Sequence, residues 1–181
     1  LAADQKLHQP EVLRQQVERL LKDPKAAAFT REFTGQWLSL RAIDATMPDR
    51  TLYPEYDDSL KTAMLKETNL FFNELLTRDL PLTNFVSSDF TFLNERLAKH
   101  YGIPGVKGAE WRRVEKVAEY GRGGMLGFGA VLAKQSAASR TSPVKRGAWV
   151  LQMLGERLPK VPPDVPPLPE IPPAGLSVRE I

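Results

Sequence analysis

Cysteine is absent from this 181-residue sequence. That excludes disulfides, thiolate metal sites and a Cys-x-x-Cys-His haem attachment within the chain. Histidine is nearly absent as well: only His8 and His100 occur. A metal or haem ligand role for His100 would need partners that two distant imidazoles do not supply. The bland reading is a histidine held at the end of a short helix, where the dipole favours it. No apolar run approaches the roughly 20 residues that a membrane-spanning helix requires. No initiator methionine and no signal peptide open the sequence. Leu1-Ala-Ala-Asp4 reads as a cut from a longer polypeptide, so targeting information is expected outside it. Five glycines fall between residues 121 and 129, but in neither the GxGxxG nor the GxxxxGK[ST] pattern. They are expected to fix a turn or let elements approach closely.

What is present favours a packed, mainly helical domain. Hydrophobic residues make up 42%, enough for a real core. The net charge of +3 is unevenly spread: residues 1–98 hold 12 basic and 15 acidic side chains, and residues 99–146 hold ten basic and three acidic. The basic block can attract an anionic partner or dock on the acidic first half of the same chain. Nucleic acid is not the expected partner, since aromatics are not interleaved with the cations.

Helical spacing predicts helices over residues 10–21, 24–40, 57–77 and 143–154, with shorter ones ending at Gly102 and covering 125–134. Asp89 or Thr91 is the expected cap of the helix that ends at Gly102, preceded by a loop over 87–94. The aromatic stripe Phe29, Phe33, Trp37 is expected to face the core. Val144, Ala148, Leu151 and Leu154 are the expected inner face of the last helix. Residues 111–117 alternate loosely, which allows one short extended segment and no sheet. Eight of the 15 prolines lie between 159 and 173, predicting an extended arm or linker. The expected fold class is therefore mainly α: a compact helical domain with at most a short extended segment and a proline-rich C-terminal arm. Its expected parts are 1–118, a helical segment 119–158 packed on the first, and 159–181.

The most chemically loaded stretch is Arg140-Thr-Ser-Pro-Val-Lys-Arg-Gly147. Ser142 is a fitting N-cap and Pro143 a fitting first helical residue. Arg140, Lys145 and Arg146 crowd a helix start, where the dipole favours acidic groups instead. These cations and the free N–H groups all demand an anion. Two sources stand open: a bound ligand, or a carboxylate from an earlier helix, with Glu67 the leading candidate. The candidate cluster is Arg122, Arg140, Thr141, Ser142, Lys145, Arg146 and Glu67.

Four stretches also carry a family resemblance: Phe33-Thr-Gly-Gln-Trp-Leu38; Thr91-Phe-Leu-Asn-Glu-Arg-Leu-Ala98 with His100-Tyr-Gly102; Arg122-Gly-Gly-Met-Leu126; and the 140–147 motif with the proline tail. They resemble planctomycete-type secreted multidomain proteins. Residues 1 to about 117 look like domain-of-unknown-function family 1592, and 122 to about 165 like family 1588. The resemblance implies an extracytoplasmic (periplasmic or secreted) bacterial protein with neighbouring domains, often with a c-type haem on another domain. It implies no cofactor in this chain and no established activity. Expected partners are neighbouring domains of the same polypeptide, a redox partner or a polysaccharide. A non-catalytic structural or interaction module fits best, there being no nucleophile–base set. The alternative is a polysaccharide-active enzyme using Glu67 and Glu95 as carboxylates with Arg122 and Arg140 as sugar-acid binders; a glycosidase needs two carboxylates about 5 to 10 Å apart across a cleft.

Overall fold

The computed structural model describes residues 3–45, 47–153, 155–158, 160 and 164. The proline-rich arm expected over 159–173 lies almost wholly outside the described residues, as does Leu154.

The organising element is α3, Asp58–Thr77. Asp57 caps it by accepting from the Leu60 N–H at 2.6 Å. Its apolar positions cover most of the circumference, so Leu60, Met64, Phe71 and Leu75 are all buried, with Glu67 and Thr68 among them. A helix apolar all round must be covered on several sides. Phe71 shows how that is done: its ring lies 5.1 Å from Phe90 and 5.0 Å from Phe128, joining three separate segments of the chain. Earlier in the chain come α1 (Pro10–Leu21) and α2 (Ala26–Trp37). A 3₁₀ turn at Leu40–Ala45 then packs against α2.

Several expectations need correction. The second helix spans Ala26–Trp37 rather than 24–40. Asp23 accepts from the Lys25 N–H in a tight turn before α2. Ser39, at φ 55°, ends the helical run. The stripe on α2 is not buried throughout. Phe29 and Phe33 are 51% and 41% exposed; Phe33 still lays its ring 5.2 Å from Phe72, and Trp37 packs inward beside Phe72 and Phe85. Helix α1 contributes no buried residue.

The segment read as a loop over 87–94 contains strand β1, Phe90–Leu93. It pairs antiparallel with β2, Arg112–Glu115, so a two-stranded sheet exists where one lone extended segment was expected. Periodicity could not flag β1, because Phe90, Thr91 and Leu93 are all buried and no alternation appears. Thr91 is thus a strand residue, and Asp89 accepts from the Ala118 N–H. The cap of α4 (Glu95–Tyr101) is Asn94, whose Oδ1 accepts from the Leu97 N–H at 3.0 Å. Helix α4 ends as expected at Gly102, at φ 70°. Asn94→Ala should cost about 1 kcal/mol of stability, read by urea unfolding.

Helix α5, Gly129–Lys134, packs against α3 and the 40–45 turn. Helix α6, Pro143–Met153, starts where expected. Its buried residue is Trp149, while Val144 is 68% exposed. The inner face is therefore rotated from the one expected, because the largest apolar side chain takes the core position. Among the described residues no helix is long and apolar enough to cross a membrane.

Candidate functional site

A cavity of about 250 Å³ lies where α4, α5 and the start of α6 meet the loop before α3. Arg122, Arg140, Thr141 and Arg146 all line it. These four come from the basic block, and the fold brings them together with His100 and Tyr101 from α4. A further part of the wall carries Pro48, Tyr53, Glu55 and Tyr56, from the connection before α3. That wall is tied to the α5–α6 connection: the Asp49 N–H donates to the Ala138 carbonyl at 2.9 Å, and the Tyr53 hydroxyl to the Ser139 carbonyl at 3.3 Å. Most of the lining is carbon.

Each cation is positioned by a local feature. Arg122 follows Gly121, and its Nη1 donates to the Gly127 carbonyl at 2.7 Å. Its guanidinium carbon lies 3.9 Å from the Tyr101 ring centroid, a cation–π contact. Arg146 sits one turn into α6, and its Nη2 reaches the Ser136 hydroxyl at 3.4 Å. The Arg146 Nε–H is buried and meets no acceptor among the described residues. Ser142 serves as the expected cap, its hydroxyl accepting from the Lys145 N–H at 3.4 Å. Lys145 itself is exposed and does not line the cavity.

The expected internal partner is not where the sequence reading put it. Among the described residues Arg122, Lys145 and Arg146 form no ion pair. Glu67 is fully buried, but its oxygens are taken by two hydroxyls: Thr91 donates at 2.6 Å and Tyr101 donates at 2.6 Å. Burial pushes the Glu67 carboxyl up, the two hydroxyl donors and the Arg122 charge pull it down, and the balance is about 7. The Tyr101 hydroxyl in turn accepts from the Gly129 N–H at 2.7 Å. A β-carbon on Gly129 would lie 2.9 Å from that hydroxyl, so glycine permits the approach. Glu67 is thus separated from the cavity by Tyr101, whose own pKa is raised by burial and by Glu67. No local signal marks this trio, because its members lie 24 and 34 residues apart.

Glu95 and Glu67 do not share a cleft. Glu95 accepts from the Gly108 N–H at 2.6 Å and neither carboxylate lines the cavity. His100 does line it, half-buried, with its pKa lowered chiefly by burial. It is therefore a neutral donor or acceptor near neutral pH. Among the described residues, no group of three or more His, Cys, Asp or Glu side chains is placed to hold a metal ion. The sequence reading missed Tyr53, Tyr56 and Glu55 as cavity residues; they come from a connection without periodicity.

No curated protein and no solved structure matches this chain. Two family models do match, in the order that the motifs suggested. Residues 1–103 match PSD4, a protein of unknown function (DUF1592), and residues 122–181 match PSCyt3, a protein of unknown function (DUF1588). The cavity draws its lining from both matched stretches. With more than half of its length under the first model, and the second following it, this chain belongs to the DUF1592 family and carries a DUF1588 segment behind it.

Proposed function

We propose that this chain is a non-catalytic binding module of a larger secreted bacterial protein, and that its cavity receives an anionic group. The observation that carries this reading is Arg146: a guanidinium Nε–H buried at a cavity wall with no acceptor and no ion pair among the described residues. An unpaired buried donor on a charged group costs about 1 to 3 kcal/mol, and an anion would recover it. Arg122 adds a second guanidinium without an ion pair among the described residues, and Arg140 and Thr141 also line the cavity. The non-catalytic part rests on the carboxylates. Glu67 is sealed behind Tyr101, and Glu95 is engaged elsewhere by a backbone N–H.

The wider setting belongs to the same proposal. An extracytoplasmic polypeptide with neighbouring domains, one carrying a c-type haem, is supported by the resemblance of the four motifs. This chain has no cysteine to attach such a haem. The cavity's role in that setting is recognition of an anionic group.

Thermal unfolding tests the binding reading. Carboxylates and inorganic phosphate are compared with chloride at matched ionic strength. At about 100 times its Kd, a bound anion should raise Tm by about 5 to 10 °C. Arg146→Gln should keep the fold, by circular dichroism, and lose most of that rise. No anion raising Tm above the chloride control would end the reading.

A further inference from the structure

Four aromatic rings form one connected surface where α2, α3 and the 3₁₀ turn at Leu82–Phe85 meet. Phe29 lies 5.7 Å from Phe33, Phe33 lies 5.2 Å from Phe72, and Phe72 lies 5.8 Å from Phe85. Phe72 is buried, so the rings run from the core outward to Phe33 and Phe29, which stay exposed. Leu82 and Val86, three residues before Phe85 and one after it, are exposed as well. Single exposed apolar side chains need no explanation, but a connected surface marks an interaction site. The anion cavity is a separate place: Phe29, Phe33 and Phe85 do not line it.

The same sequence carries a segment of matching chemistry, Val165-Pro-Pro-Leu-Pro-Glu-Ile-Pro-Pro173. Its pattern is a property of the sequence, since 165–173 lie outside the described residues. A polyproline helix has about three residues per turn. In that register Val165, Leu168 and Ile171 fall on one edge, and Pro166, Pro169 and Pro172 on the next. The third edge holds Pro167, Glu170 and Pro173, and with them the only charge in the segment. Two edges are thus apolar and one is polar. Proline has no N–H to satisfy, and such segments dock on aromatic-lined surfaces. They lose little entropy in doing so, because they are extended beforehand.

We infer that residues 165–173 of a second copy of this chain dock on the surface of Phe29, Phe33 and Phe85, with the edge of Val165, Leu168 and Ile171 against the rings. A second copy is the occupant because Phe29 and Phe33 are open to solvent in the single chain, while the matching segment belongs to this same sequence. Each copy offers one surface and one segment, so reciprocal exchange closes a two-fold dimer.

The test is light scattering of the intact chain over a concentration series, with a synthetic peptide of residues 165–173 as competitor. The chain should pass from monomer to dimer, and excess peptide should return it to monomer. Phe29→Ala should weaken the dimer at least about tenfold, as truncating a central interface aromatic does. It should keep the fold by circular dichroism, because that ring is exposed. Leu168→Ser combined with Ile171→Ser should weaken the dimer to a similar degree. Glu170→Gln, on the third edge, should leave it unchanged. A chain that stays monomeric at every concentration, whether or not the peptide binds, would overturn the second copy as occupant. A dimer that survives Phe29→Ala, or survives the paired Leu168 and Ile171 substitutions, would overturn the docking surface. Equal losses from Glu170→Gln and from that pair would overturn the assignment of edges.

Discussion

Gly124→Ala should unfold most of this protein's stability margin, costing about 3 to 5 kcal/mol. Two independent penalties meet at this position. The backbone lies at φ 65° and ψ 174°, a region open essentially to glycine alone. A β-carbon there would also sit 2.6 Å from the Val86 carbonyl carbon and oxygen, and 2.7 Å from the Phe85 oxygen. Those atoms are backbone, so no side chain can rotate away. The neighbouring Gly123 approaches the Ser88 oxygen in the same way, with a β-carbon position 3.1 Å from it. The Arg122-Gly-Gly-Met125 turn is therefore pressed against residues 85–88, just before β1, which fixes where Arg122 emerges. Gly102→Ala is the control. It has φ 70° but nothing within 4 Å of a β-carbon, so it should cost only about 1 kcal/mol. Equal losses for the two variants in urea unfolding would show that the close approach contributes nothing.

Glu67 should make stability fall as pH rises from about 4.5 to about 7. Its carboxyl is raised from 4.5 to about 7 in the fold, with burial the largest cause. Across that window the folded protein keeps a proton on Glu67 that the unfolded chain has lost. The folded state thus binds more protons, and stability declines with pH. Below about 4.5 both states are protonated and the contribution is complete; above about 7 it is gone. The size is roughly 3 kcal/mol, from about 1.4 kcal/mol per unit. Glu67→Gln should flatten this slope in urea unfolding between pH 5 and 8, since an amide fills the same space and does not titrate. Glu67→Ala should cost about 3 to 5 kcal/mol at pH 5, because it opens a cavity and strips the acceptors from the Thr91 and Tyr101 hydroxyls. A Gln variant with the unsubstituted pH slope would place the titrating group elsewhere.

The two cases differ in how far the sequence revealed them. The cluster of five glycines was visible as a place of turns or close contact, and so was the helix start at Ser142-Pro143, because both depend on nearest neighbours. Glu67 stood out as an acidic residue on an apolar helix, but the reading gave it a cationic partner. The fold gave it two hydroxyls, one from a strand hidden by burial of three of its four positions. The aromatic stripe on α2 looked like core by spacing alone. Spacing fixes which residues share a face and leaves open whether another element covers it; here Phe29 and Phe33 stay half-exposed.

The sequence by itself determined the helical class, the stop of α4 at Gly102 and the start of α6 at Ser142-Pro143, the concentration of positive charge in the middle block, and the family. All of these are local or compositional. Only tertiary structure decided that Arg122 and Arg146 line one cavity, that no carboxylate among the described residues pairs with either, and that Glu67 lies behind Tyr101. Those are distances between segments tens of residues apart, and the packing of α3 against β1, α4 and α5 sets them.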